Sequence, residues 1–274
     1  MPPDLVGPSS LSDKFTTTPQ IDHGWIEYAS TDVDGGEKLF RGGFEKARYY
    51  VGVLAVEDNI LMPEAFTAAR RLRFNTYHSL GWLPDSARDE DGGEHDKDDS
   101  RSIQIGVIKN IADENRAEMI STSRLIIRNG ESLPVEKYFP EDYEKGMPVP
   151  DTEISRLISS SKDRRERALA ILACYRAMLG VGIAAGHQTT SAVIEDWLVR
   201  RIDSVGISYE RSANYKKISD YGNTQNTQIF IDSKDLVEGA KLTGSLPIIT
   251  KLFFRGIKGN NGIGYYGSRF LKRF

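Results

Sequence analysis

Charged side chains interrupt two of the runs in this chain that read most clearly as strands. Ser123-Arg124-Leu125-Ile126 and Glu153-Ile154-Ser155-Arg156 are set among β-branched residues. An ionised group in such a run can be buried only with partners or beside a cleft. In an extended strand Glu153 and Ser155 share one face, while Ile154 and Arg156 take the other. The fold must therefore either pair these charges in a network bracing a loop against a sheet, or line a site with them.

The elements around these runs alternate. Ala47 to Val56 is β-branched and aromatic, hence a strand. Pro63 suits a first helical turn, and Glu64 to Leu80 has few β-branched residues and no breaker, which predicts a helix. Ile103 to Ile108 and Glu118 to Arg128 read as a hairpin turning at 110–116. Glu131 to Pro150 reads as loop with a short helical piece, and Thr152 to Ser159 as strand. Ser161 or Asp163, the latter with Glu166 three residues later as a capping box, can cap a helix whose Ala168, Leu172, Tyr175 and Leu179 share a face. Gly180, Gly182 and Gly186 loosen and end it. A strand at Thr189–Ile194, a helix at Asp196–Val205, strand-like sequence from Ile207 and a last strand at Asn226–Ile231 follow. The order β-α-β-β-β-α-β-α-β fits one α+β domain over 43–240. Residues 1–42, rich in Pro, Ser, Thr, Gly and Asp, read as a flexible lead.

With 39% apolar and 27% charged residues and a net charge of −3, the chain is neither disordered throughout nor generally suited to nucleic acid. No stretch has the ~20 apolar residues of a membrane span, and the start lacks a secretory pattern, so a cytoplasmic protein is expected. The charge is unevenly placed. Asp85 to Asp99 holds eight acidic residues against two basic ones, and 241–274 holds seven basic residues and no acidic one. Either segment reads first as solvated. In the tail, Phe253, Phe254, Phe270, Leu271 and Phe274 interleave with the cations, a mixture suited to an anionic membrane surface or an acidic protein partner.

Most familiar chemistry is missing. Cys174 alone excludes an internal disulfide and a thiolate cluster, and its apolar helix suggests an inert buried thiol. His23, His78, His95 and His187 show no zinc spacing. There is no G-x-S-x-G elbow or Walker loop. Gly262-Ile-Gly264-Tyr-Tyr-Gly267 lies too near the end for a Rossmann unit, and the glycine of Asp89-Glu-Asp-Gly-Gly is misplaced for a calcium loop. Carboxylates and arginines on successive elements remain: Arg73 and Trp82, Asp96 and Asp99, Arg124, Glu153 and Arg156. Such a set suits a cationic amine, with acids to attract it and one to take its proton.

The series Arg71-Leu72-Arg73-Phe74-Asn75-Thr76-Tyr77, Glu94-His95-Asp96-Lys97-Asp98-Asp99, Thr122-Ser123-Arg124-Leu125-Ile126, Phe139-Pro140 and Glu153-Ile154-Ser155-Arg156-Leu157 resembles the acyl-homoserine-lactone (autoinducer) synthases. It is closer to the long-chain N-acyl amino acid synthases and the acyltransferases associated with exosortase systems. The resemblance spans roughly residues 45 to 235. It implies the GNAT acyltransferase fold, a twisted mixed sheet flanked by helices. The fourth and fifth strands of that sheet, here Thr152–Ser159 and Thr189–Ile194, splay to admit an acyl-pantetheine arm.

The same resemblance implies an N-acyltransferase with no permanently bound cofactor. The donor is an acyl-carrier-protein phosphopantetheine thioester or acyl-CoA, and the acceptor a small amino acid-type amine. A thioester is already activated, so positioning and oxyanion stabilisation are the main tasks. Glu153 would be the base through a water, with Asp96 and Arg156 as further catalytic candidates. Arg73, Trp82, Asp99, Arg124 and Ser155 would bind or order substrates. Many GNAT proteins hold coenzyme A pyrophosphate on a Gly-rich turn after the fourth strand; here the segment from Ser159 to Glu166 has no glycine. Lys162, Arg164 and Arg165 at a helix start still suit donor phosphate, and the missing glycines favour acyl carrier protein as partner. Two alternatives are acylation of S-adenosylmethionine with lactone closure, and a non-catalytic acyl- or carrier-binding protein of the same fold.

Overall fold

The computed structural model describes residues 25–28, 47–111, 116–204, 209–218 and 224–235. One mixed sheet organises them, with strands in the order β1-β2-β4-β5-β6-β7-β10-β8. These are β1 (Trp25–Tyr28), β2 (Ala47–Val56), β4 (Ser102–Ile111), β5 (Arg116–Ile127), β6 (Thr152–Ser159), β7 (Thr189–Glu195), β8 (Glu210–Arg211) and β10 (Gln225–Asp232). Two short strands, β3 (Asn59–Ile60) and β9 (Lys216–Lys217), pair with β2 and β10. All pairings are antiparallel except β6 with β7, which are joined by a helical crossover. The helices are α1 (Pro63–Ser79), the single-turn α2 (Pro134–Tyr138) and α3 (Pro140–Glu144), α4 (Arg164–Ala184) and α5 (Asp196–Ser204). Among the described residues no helix is long and apolar enough to cross a membrane.

This is the expected α+β order, and the departures are local. Trp25–Tyr28, within the segment expected to be a flexible lead, pairs with Tyr49–Gly52 of β2; its Trp, Ile and Tyr suit a strand. The segment read as loop with one helical piece carries two helical turns, each opened by a proline, Pro134 and Pro140. The basic tail and the rejected dinucleotide-like pattern within it lie outside the described residues, as does the rest of the lead.

Adjacent residues of β5 face opposite ways and divide the core. Leu125 joins Ile105, Ile154, Cys174, Met178, Val181 and Ile229 under α4, while Ile126 joins Leu133, Val135, Phe139 and Ile218 under α2. The helix stripe that meets the sheet is Ala170, Ala173, Cys174, Ala177, Met178 and Val181. The expected stripe is rotated from it: Ala168 is exposed, Leu179 is only partly buried, and Tyr175 is buried beside it. A helix apolar nearly all round does not fix its own phase. The small residues decide it, because they let α4 lie close to the strands. The start of α4 agrees with the expected cap, since Asp163 Oδ1 accepts the Glu166 N–H at 2.8 Å. Cys174 is fully buried, and burial pushes its thiol up to about 12, so it is inert as expected.

The acidic segment folds back on α1 on the other face. Asp85 and Glu90 are exposed, but Glu94, Asp98 and Asp99 are buried, so it is only in part the solvated run expected. Gly93 permits the contact. A Cβ there would lie 2.7 Å from Arg70 Cβ and 3.1 Å from its carbonyl carbon. The next residue, Glu94, donates its N–H to the Arg70 carbonyl at 3.2 Å. Replacing Gly93 with Ala should lift the loop off α1 and cost roughly 1–3 kcal/mol. Urea unfolding of the variant against the wild type measures it; equal midpoints would show that the loop is free to shift.

Candidate active site

Arg73 reaches the interior because α1 buries Ala69, Arg73 and Tyr77, which are four residues apart. Its guanidinium is fully buried and fully engaged. Nε donates to Glu94 Oε2 at 3.2 Å, Nη1 to Asp99 Oδ1 at 2.9 Å and Gln104 Oε1 at 3.2 Å, and Nη2 to Asp99 Oδ2 at 2.8 Å and the Glu94 carbonyl at 3.1 Å. Arg124, directly across from Gln104 in the β4–β5 ladder, donates to Asp99 Oδ1 at 2.8 Å and Asp96 Oδ2 at 2.8 Å. Arg156 donates to Glu94 Oε1 at 2.9 Å and Asp96 Oδ2 at 3.4 Å. Three arginines thus meet three carboxylates. Burial pushes the Asp99 carboxyl up, but Arg73 and Arg124 outweigh it and hold it well below the usual range. Asp96 is likewise held low, chiefly by Arg124 against its burial.

Arg156 joins this cluster through an irregularity. Between Thr122↔Ile158 and Arg124↔Ser155 the register of β6 shifts by one residue, and Arg156 sits at φ 56°. The strict alternation expected for Glu153 to Arg156 therefore fails. The bulge carries Arg156 to the face of Arg124, over the Tyr77 ring at 5.1 Å. Trp82 stacks on the same residue's ring, centroids 5.4 Å apart at 16°. The cluster has an inside and an outside. The Arg73, Asp99 and Arg124 side chains are at most 3% exposed, whereas Asp96 is 27% and Arg156 16% exposed.

The parallel strands beside this cluster part company. β6 and β7 pair only at Thr152↔Thr190, Glu153↔Ser191 and Ile154↔Ala192. Beyond Ile154 and Ala192 the facing backbone edges are unpaired with each other, which is the splay expected of these two strands. Glu153 lies in the last closed rungs, without solvent exposure. Val135, in the first turn of α2, donates its N–H to Glu153 Oε2 at 2.7 Å, and Oε1 has no hydrogen-bond partner among the described residues. Burial pushes this carboxyl up to about 8, against the Val135 N–H and the charge of Arg124. Ser155, across from Arg124, accepts the Ser123 hydroxyl on its carbonyl at 3.1 Å.

The sequence expectations thus fall into three groups. Arg73, Trp82, Asp96, Asp99, Arg124 and Arg156 come together, and Glu153 and Ser155 adjoin them on the same face. Lys162 and Arg164 stand exposed at the start of α4, apart from the cluster, while the Arg165 side chain lies outside the described residues. Glu94 and Tyr77, which lie within the quoted motifs without an expected role, and Gln104 also belong to the cluster. Tyr77 carried a signal in its spacing of four from Arg73; Gln104 is visible only through strand register. Among the described residues no group of three or more His, Cys, Asp or Glu could hold a metal ion. The converging carboxylates are neutralised by arginines instead.

A parallel pair that separates after three rungs, inside an otherwise antiparallel sheet with helices on both faces, decides the architecture. The fold is GNAT-like. Solved structures agree. A CoA-dependent acyl-homoserine lactone synthase, BjaI, with SAM and isopentyl-CoA, is 18% identical, covers 80% of this chain and 97% of its own, and has a TM-score of 0.54. The AHL synthase LasI is 16% identical, covers 70% of this chain and 93% of its own, with a TM-score of 0.53. At such identities the likeness carries the fold alone. No protein-family model and no curated protein matches the sequence.

Removing Arg73 should leave Glu94 and Asp99 buried without their cation. The Arg73→Leu variant is expected to lose about 3–5 kcal/mol in chemical denaturation. The folded pKa of Asp99 is depressed, so its contribution is present above the ordinary aspartate value and is lost only as pH falls through the lower folded value. An acid titration followed by circular dichroism should show Arg73→Leu unfolding at a higher pH than the wild type.

Proposed function

We propose that this chain is an N-acyltransferase that moves a fatty acyl group from a pantetheine thioester to the amino group of an amino acid-type acceptor. The observation that carries the reading is the parting of β6 and β7 after Ile154, one rung beyond Glu153. The unpaired strand edges suit the amides of a pantetheine arm, which would bring the thioester to the closed end of the gap. A backbone N–H there would meet the developing oxyanion.

The acceptor ammonium gives one proton to Glu153 through a water, and the free amine attacks the thioester carbonyl. The C–N bond forms as the C–S bond breaks. The leaving thiolate takes the proton shed by the new amide nitrogen, and the proton on Glu153 returns to solvent. Asp96 and Arg156, the accessible members of the ion cluster, and Trp82 are placed to contact the acceptor. Arg73, Glu94 and Asp99, with the two Nη groups of Arg124, are spent on the ion cluster and hold those contacts in position.

An acyl carrier protein is the donor partner that the start of α4 favours. Asp163 already caps this helix, and Glu166 is buried there against Lys109 at 2.7 Å. Two carboxylates in the first turns oppose a pyrophosphate at the helix end. Lys162 and Arg164 remain exposed to meet a single pantetheine phosphate or an acidic carrier surface. The double variant Lys162→Ala/Arg164→Ala should raise KM for acyl carrier protein several-fold at low salt, with the difference shrinking as salt is added. An unchanged KM at low salt would remove these residues from the donor site.

The decisive assay supplies acyl carrier protein or acyl-CoA donors with amino acids and identifies products by mass spectrometry. An N-acyl amino acid supports the reading. An acyl-homoserine lactone from S-adenosylmethionine identifies the narrower variant, which the names of the two synthases above suggest. Glu153→Gln should reduce turnover by about 10²–10⁴-fold. The wild-type rate should rise with pH through about 8, where Glu153 ionises, and the variant should lack that limb. Stability runs the other way. A carboxyl whose folded pKa is raised stabilises fully below the ordinary glutamate value and loses that stability as pH rises through about 8. Thermal melts should therefore favour Glu153→Gln over the wild type more at pH 9 than at pH 5. Normal turnover by this variant would remove Glu153 as the base.

A further inference from the structure

Three buried polar atoms on the Glu153 face lack hydrogen-bond partners among the described residues: Nε of Arg124, Oε1 of Glu153 and Oε1 of Gln228. Their residues are 2%, 0% and 0% exposed. Buried donors and acceptors are nearly always satisfied, so three on one face, on β5, β6 and, across β7, on β10, call for an explanation. Gln228 lies on β10 beside Ile229, which faces α4, so its side chain takes the opposite face with Glu153 and Arg124.

A short chain of hydrogen bonds fixes how Gln228 is presented. Ser191, directly across from Glu153, donates its hydroxyl proton to the Ile229 carbonyl at 2.7 Å. That hydroxyl can then only accept from Gln228, whose Nε2 lies 3.1 Å away. The same Nε2 donates to the Tyr143 hydroxyl at 2.5 Å. Both amide protons are thereby used on Ser191 and Tyr143, and Oε1 is left to accept. Tyr143, having accepted, keeps its own proton to donate; burial, with the charges of Glu136 and Glu153, holds its phenol above the usual range. Tyr143 is only partly buried, so this end of the chain lies within reach of a solute.

We propose that Gln228 and Tyr143 form the side-chain subsite for the acyl acceptor, beside Glu153, and select an amino acid whose side chain bears a hydroxyl or carboxamide. The proposal rests on the N-acyltransferase reading. Glu153 Oε1, through the intervening water, and Gln228 Oε1 then match two groups of such an acceptor: its amine and a side-chain donor. A hydroxyl or carboxamide also accepts from the Tyr143 O–H. An aliphatic side chain does neither, and leaves Gln228 Oε1 buried without a donor; sites built to hydrogen-bond a substrate discriminate strongly for this reason.

The test compares near-isosteric pairs, glutamine against methionine and serine against alanine, by kcat/KM with the full chain and one fixed acyl donor. Wild type should favour the polar member of each pair by at least about tenfold. Gln228→Leu and Tyr143→Phe, each first checked for a cooperative melt, should bring the ratio near one. A wild-type ratio near one, or a ratio preserved in both variants, overturns the proposal. Acylation of no amino acid at all would defeat the N-acyltransferase reading instead. Saturation-transfer NMR with the same four amino acids then decides the subsite separately. Signals for glutamine over methionine that vanish in Gln228→Leu uphold it, and equal or absent signals overturn it.

Discussion

The pairing of Asp99 with both Arg73 and Arg124 is the interaction around which this molecule is arranged. One carboxylate receives a helix arginine and a strand arginine, and its segment carries two further acids to the same place. Desolvating six charges is expensive, and such a cluster is tolerable only when every member is matched. The requirement fixes several elements at once. It sets the rotation of α1, the path of the acidic segment over α1, the register of β4 against β5 and the bulge that turns Arg156 inward. A buried ionic cluster contributes less to stability than apolar packing of equal volume would, but it tolerates few alternative arrangements.

Its second effect is on the surface. Since Arg73 and Arg124 are neutralised by Asp99 and Glu94, the outer groups Asp96 and Arg156 are held in place at a partly open rim, with Tyr77 and Trp82 stacked beside them. Rim and cleft are built by different forces. Electrostatics places the rim, whereas the cleft follows from the crossover geometry of β6 and β7, whose ladder runs for three rungs and stops.

Much of the sheet was legible in the sequence because its strands are β-branched runs bounded by turns, and α1 because Pro63 opens an unbroken run. Arg73, Asp96, Asp99, Arg124 and Arg156 were recognisable as a set, since charges inside strands and at the exit of an acidic segment demand partners. What failed to show was phase and register. Arg156 was placed on the wrong face because a bulge leaves no mark in an eight-residue strand. The sheet-facing stripe of α4 was misjudged because its residues are apolar on most sides. Gln104, Gln228 and Tyr143 acquire meaning only once distant segments are laid side by side, and no local pattern announces that.

The hydrogen bond from Val135 to Glu153 makes the acidity of one strand carboxylate depend on a peptide N–H contributed by a single helical turn. That turn is seated by Leu133, Val135 and Phe139, all wholly enclosed. Loosening the seat would withdraw a favourable dipole and at the same time admit water, two influences that drive the proton affinity of Glu153 in opposite directions. The titration of this one group thus reports on the packing of a segment some twenty residues earlier in the chain. Hydrophobic substitutions there can retune it without altering a single polar atom.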